Sequence, residues 1–119
     1  MRFLSNGTYR VLITPAGTGG SSAGAVALTR WNADPVEDPD GLHLFVRDLD
    51  RGSCWRIACG TSSDGDAEWR PGRFRIARSC DGVRAEVEIC VVPDRAAELR
   101  RVRVLNEDDA ARRIDVTSF

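Results

Sequence analysis

The sequence predicts an all-β domain, an antiparallel β-sandwich of about eight or more strands forming one unit over residues 1–119. Three observations carry this. Apolar side chains alternate with a period of two, most clearly where Val83, Ala85, Val87, Ile89 and Val91 face one way and Arg84, Glu86 and Glu88 the other. Turn signals recur roughly every 8–12 residues, as expected of short strands folded back on one another. The only segment with helical propensity, Pro93 to Glu98, is too short for a stable helix.

The elements follow in order. Ser5-Asn6-Gly7 is a turn leading into a strand over Tyr9–Thr14, and Pro15–Gly24 reads as a glycine-rich loop ahead of a strand over Ala25–Trp31. Strands over Leu42–Asp48 and Ser53–Cys59 flank an Asp50-Arg51-Gly52 turn. Phe74–Cys80 and Val83–Val91 flank Asp81-Gly82, a dipeptide that tolerates the positive φ angles of a two-residue hairpin. Strands over Leu99–Leu105 and Arg112–Phe119 flank an Asn106–Ala111 connection. The strand pattern still running at Phe119 predicts a piece of a larger, multi-domain protein.

Composition removes several function classes. A chain of 119 residues buries about two thirds of its unfolded surface, enough for one core. Its 17 basic and 18 acidic residues are scattered, which disfavours a nucleic-acid partner. Every basic residue is arginine, so P-loop and Schiff-base lysine chemistry is excluded. The longest uncharged stretch, Val11–Thr29, is broken by glycines and a proline, so direct membrane insertion is not expected, and the N-terminus lacks a signal-peptide pattern. Cys54, Cys59, Cys80 and Cys90 fit no zinc spacing and are expected as free, mostly buried thiols.

Candidate chemistry is sparse. Gly20-Ser21-Ser22-Ala23-Gly24 matches the G-x-S-x-G nucleophile elbow in form, but a strand-like segment follows where the elbow needs a helix. Gly17, Gly19 and Gly20 could cradle a phosphate through backbone N–H groups, again without the helix or lysine that completes such a site. The loop is expected instead to join strands or to touch a ligand or a neighbouring domain. His43, on the face opposite Leu42 and Leu44, is expected to be solvated or bonded to a neighbour. Asp34, Glu37, Asp38 and Asp40 crowd one loop without EF-hand spacing or a defined carboxylate pair, so no metal, cofactor or catalytic residue is expected. Trp31, Trp55 and Trp69 are the side chains best able to stack on a sugar ring, and core packing is the commoner role of each.

Leu4-Ser5-Asn6-Gly7-Thr8-Tyr9, Thr29-Arg30-Trp31, Phe45-Val46-Arg47-Asp48 and Asp115-Val116-Thr117-Ser118-Phe119, in that order and spacing, resemble the N-terminal domain of glycoside hydrolase family 94 across almost the whole chain. The resemblance implies a sandwich of the galactose-mutarotase-like supersandwich type, followed in the parent by an (α/α)6 barrel that carries the catalytic aspartate and phosphorolyses β-glucosides. The domain itself is then a non-catalytic accessory that packs on the barrel, with β-glucan and a second copy as further partners, in the soluble, cytoplasmic part of a bacterial inner-membrane protein. Thr14, Gly17, Gly19, Gly20, Ser21, Ser22, Arg30 and Trp31 are the residues it implies at a sugar channel or domain interface. Family members often carry an aromatic such as tyrosine at the end of the glycine-rich loop, where this chain has Gly20–Gly24. An independent carbohydrate-binding module and an immunoglobulin-like interaction domain are the alternatives, the first requiring exposed tryptophans and the second paired cysteines.

Overall fold

A computed structural model describes residues 1–14, 17–32, 40–57 and 65–119. They form eleven strands: β1 (Arg2–Ser5), β2 (Tyr9–Ile13), β3 (Gly19–Ala23), β4 (Val26–Ala27), β5 (Leu44–Asp48), β6 (Cys54–Arg56), β7 (Gly65–Arg70), β8 (Arg73–Cys80), β9 (Val83–Val91), β10 (Glu98–Asn106) and β11 (Ile114–Ser118). All pairings are antiparallel, in an N-terminal sheet β1-β2-β3-β4, a central sheet β10-β9-β8-β7 and a third sheet β11-β5-β6. The predicted all-β architecture is what forms.

The period-two pattern decides which face is buried. Phe74 and Ile76 on β8, with Val83, Ala85, Val87 and Ile89 on β9, turn inward against Leu4, Tyr9, Val11 and Ile13 of the N-terminal sheet and Leu44, Val46, Trp55 and Ile57 on the third sheet's side. One apolar cluster thus joins all three sheets, each fully buried large side chain contributing roughly 1.5–3 kcal/mol. Phe74 is fully buried, its ring 4.4 Å from that of Trp69, its partner across the β7–β8 pair. Trp55 is likewise core, and Trp69 is packed against it, which answers the stacking expectation for both.

The β8–β9 hairpin forms as predicted. Asp81 and Gly82 take φ values of 50° and 78°, positive at both central positions, and Cys80 faces Val83 across the turn. The β5–β6 turn also forms: the Asp48 carboxylate accepts from the Asp50 and Arg51 amides at 2.9 and 3.0 Å, an Asx-type turn.

Four expectations are corrected. The supposed loop Pro15–Gly24 contains a strand, β3, and the supposed strand Ala25–Trp31 pairs only at Val26–Ala27. The first reversal follows from pairing of β3 with β2, and the second from Leu28 and Thr29, which direct their amides back to the Ser21 carbonyl at 2.9 and 3.4 Å and turn the chain off the sheet. Strands β1 and β7 arise where none was predicted. Finally, Cys54 is exposed and Cys80 and Cys90 are half-buried, all three free; the thiols are less buried than expected, and Cys59, Asp34, Glu37 and Asp38 lie outside the described residues. Burial pushes the Cys80 thiol above its ordinary value. Under native alkylation Cys54 is therefore expected to be labelled well ahead of Cys80. Peptide mapping by mass spectrometry checks the order, and equal labelling would contradict the packing around Cys80.

Candidate functional site

The outward face of the N-terminal sheet departs from the rule that one face of a sheet is apolar. On β2, Val11 and Ile13 belong to the core, yet Leu12 between them is only 9% exposed although it points the other way. Phe3 on β1 and Gly20 on β3 are its register partners, so these three positions form a row across the outer face. Arg10 and Ser22, paired on the next row, and Ala27 on β4 extend it.

Over this face lies the segment that follows β4. Thr29 Oγ1 accepts the Ser21 amide at 2.8 Å, anchoring the turn, and the chain then carries Trp31 across Gly20. A Cβ at Gly20 would stand 2.9 Å from Trp31 Cβ and 3.3 Å from Thr29 Oγ1, so the missing side chain is what lets the indole lie there. The result is a groove of about 510 Å³ with Phe3, Leu12 and Trp31 as its apolar surface and Arg10, Ser22, Thr29 and Arg30 as its polar groups. The Trp31 Nε1–H is buried and has no acceptor among the described residues.

Five of the eight sequence-derived candidates, Gly20, Ser21, Ser22, Arg30 and Trp31, meet at this groove. Thr14, Gly17 and Gly19 do not line it. Thr14 closes a local turn, its Oγ1 2.7 Å from Thr18 Oγ1 and its carbonyl accepting the Gly17 amide at 2.9 Å; Gly19 lies buried against the β2 backbone. Thr29, in the Thr29-Arg30-Trp31 motif, lines it as well, and Phe3, Arg10, Leu12 and Ala27 were missed. Leu12 carried a signal, since Val11-Leu12-Ile13 puts apolar residues on both faces of a strand.

Beneath the groove, on the core side, Ser21 Oγ donates to Glu98 Oε2 at 2.6 Å, Tyr9 Oη donates to the same oxygen at 3.2 Å, and Arg100 Nε donates to Glu98 Oε1 at 2.6 Å. This network ties β2 and β3 to β10, and burial leads the influences that raise the Tyr9 hydroxyl above its usual value. Ser21 is thereby a structural hydroxyl. Ser22, the serine of the formal elbow, sits within β3 and not on a strand-to-helix turn. His43 is half-buried, its Nδ1 3.2 Å from Arg56 Nη1, as a neighbour-bonded imidazole. Among the described residues the groove lining includes neither a carboxylate nor a histidine, so its chemistry is apolar contact and hydrogen-bond donation.

The all-β architecture agrees with the supersandwich domain of glycosyl hydrolase 94, and the model of that domain matches residues 1–119: the chain belongs to this family. Among its relatives is cyclic beta-(1,2)-glucan synthase NdvB of Rhizobium meliloti (strain 1021), 35% identical over 126 residues. That alignment takes in 98% of this chain and 4% of the relative, so the chain spans a small part of the length of the protein it matches. No helix among the described residues is long and apolar enough to cross a membrane.

Proposed function

We propose that this chain is the non-catalytic accessory sandwich of a larger family 94 protein acting on β-glucan, and that its groove is the face seated against the catalytic barrel. One observation carries the reading: the row Phe3–Leu12–Gly20, capped by Trp31, makes the N-terminal sheet apolar on its outward face as well as its core face. A sheet apolar on both sides is a sheet meant to be covered on both. Phe3, 63% exposed, supplies the projecting anchor that a partner surface would bury. On this reading the parent synthesises or phosphorolyses β-glucan through its barrel, the sandwich supports that work from the cytoplasmic side of the inner membrane, and Ser21 with Glu98 holds the groove floor in register.

A carbohydrate-binding role has one observation in its favour: the half-buried Trp31 beside Arg10, Arg30, Ser22 and Thr29, in a groove whose volume suits a small ligand. Two measurements separate the readings. Hydrogen–deuterium exchange on the full-length parent and on this chain alone is expected to show the Gly20–Ala23 and Ala27–Trp31 amides, already hydrogen-bonded within the chain, exchanging more slowly in the parent; equal exchange would sink the seating face. Titration of the chain with β-1,2-linked gluco-oligosaccharides is expected to leave amide shifts unchanged at millimolar ligand. Saturable shifts around Trp31 would transfer the groove to sugar binding.

A further inference from the structure

The middle of the central sheet's outward face carries a charged patch, with the apolar Leu99 and Leu105 at the two ends of β10 outside it. Glu68 and Arg70 on β7, Arg73 and Arg75 on β8, Glu86 and Glu88 on β9, and Arg101 and Arg103 on β10 line a depression of about 290 Å³ with no apolar member. They are brought together by alternation: each neighbours a residue whose side chain turns to the core, as Arg73 and Arg75 flank Phe74.

Within it every carboxylate is held by two guanidiniums. Glu86 lies 2.5 Å from Arg75 and 3.6 Å from Arg103; Glu88 lies 3.0 Å from Arg101 and 3.5 Å from Arg73; Glu68 lies 2.6 Å from Arg70 and 3.8 Å from Arg75. The Arg75 guanidinium holds the Glu86 carboxyl below its ordinary range. Five guanidiniums against three carboxylates leave a formal surplus of two positive charges. Arg73, Arg101 and Arg103 keep 45%, 58% and 55% of their side chains exposed. Each guanidinium carries five N–H donors in a planar fork, and the contacts to Glu86 and Glu88 occupy only some of them.

We propose that this face binds a small, multiply charged oxyanion of the phosphate class, seated among Arg73, Arg101 and Arg103. The chemistry selects the occupant. A protein partner needs an apolar or aromatic anchor, which the lining lacks, and a nucleic-acid backbone needs a cationic stripe, which the interleaved carboxylates interrupt. A compact dianion fits the depression, takes forked donors from two or more arginines, and cancels the surplus. The strands set the arginine spacing before the anion arrives, so little ordering is required. This site is independent of the groove on the N-terminal sheet.

The test is titration of the chain with inorganic phosphate at constant ionic strength, reading the arginine Nε–Hε resonances by NMR. Saturable shifts at Arg73, Arg101 and Arg103 are expected. In Arg101→Gln/Arg103→Gln the apparent affinity is expected to fall about tenfold or more. Glu68→Gln, at a side chain 41% exposed and safe for folding, removes a carboxylate from the lattice and is expected to tighten binding. Linear drift identical to that produced by chloride would overturn the site, as would unchanged affinity in both variants. Retention on vesicles of anionic phospholipid without any response to inorganic phosphate would overturn it too, by making the face a membrane contact.

Discussion

Gly19→Ala is expected to destabilise the chain by at least about 3 kcal/mol, a large part of the roughly 5–15 kcal/mol that holds a domain of this size together. Gly19 takes φ +143°, a backbone region that L side chains rarely adopt, and a Cβ built there would overlap the Leu12 carbonyl oxygen of the neighbouring strand. The obstacle is backbone, so no rotamer change relieves it; β3 would have to leave β2, taking with it the Ser21–Glu98 bond and the floor of the groove. Gly41 crowds the same place, since a Cβ there would meet the Gly19 carbonyl oxygen at 2.5 Å and its nitrogen at 2.8 Å. Two controls locate the cause. Gly24→Ala, at φ +57° with open space around it, carries only the conformational cost of about 1–2 kcal/mol. Gly20→Ala displaces Trp31 and is expected to remodel the groove while the fold persists. Urea unfolding of the three variants measures the ranking, and a Gly19→Ala variant no less stable than Gly24→Ala would refute it.

That glycine also shows where the sequence was hard to read. The β8–β9 hairpin was legible because two signals coincide: alternation in both arms and Asp81-Gly82 between them. In β3 the signals conflict. Gly19-Gly20-Ser21-Ser22-Ala23 has the composition of a loop, and it becomes a strand because β2 supplies the pairing partner while Gly19 and Gly20 permit the close approach of Leu12 on one side and Trp31 on the other. Tertiary contact overrides propensity there. The opposite happens after β4, where apolar Leu28 suggested a continuing strand and two amide bonds to the Ser21 carbonyl bend it away. The candidate site was half legible for the same reason. Trp31 stood out by residue type and Arg30 only through the Thr29-Arg30-Trp31 resemblance, but Phe3 and Arg10 acquire a role only once β1 and β2 pair and set them on the outer face, a fact of register that residue types at distant positions do not reveal.

Removing the Arg112 side chain is expected to lower the melting temperature by roughly 10 °C or more, because it leaves the buried Asp48 carboxylate without its guanidinium. Arg112, its side chain 5% exposed, bonds Asp48 and Asp108 and donates to the Asp81 carbonyl at 3.0 Å; Arg51 reaches Asp108 at 3.0 Å and the same carbonyl at 2.9 Å. One guanidinium therefore ties the β5–β6 turn of the third sheet to the β8–β9 turn of the central sheet and to the β10–β11 connection, where the chain crosses between those sheets. Arg113, 76% exposed and paired with Asp50, is the contrasting case and its loss is expected to change little. The node also sets the acid response. The Arg51 amide, with the Asp50 amide and the Arg112 guanidinium, holds the Asp48 carboxyl below its ordinary value of 3.8. A carboxyl whose folded value is depressed stabilises the fold fully above its unfolded value, and that contribution disappears as pH falls through the folded value. The chain is thus expected to lose stability as pH drops below about 4, and Asp48→Asn to be less stable near neutrality yet flatter in its acid dependence. Melting temperatures of the chain and of Asp48→Asn followed from pH 7 into the acid range measure both slopes; parallel curves would mean that Asp48 is not the group that couples the turn to pH.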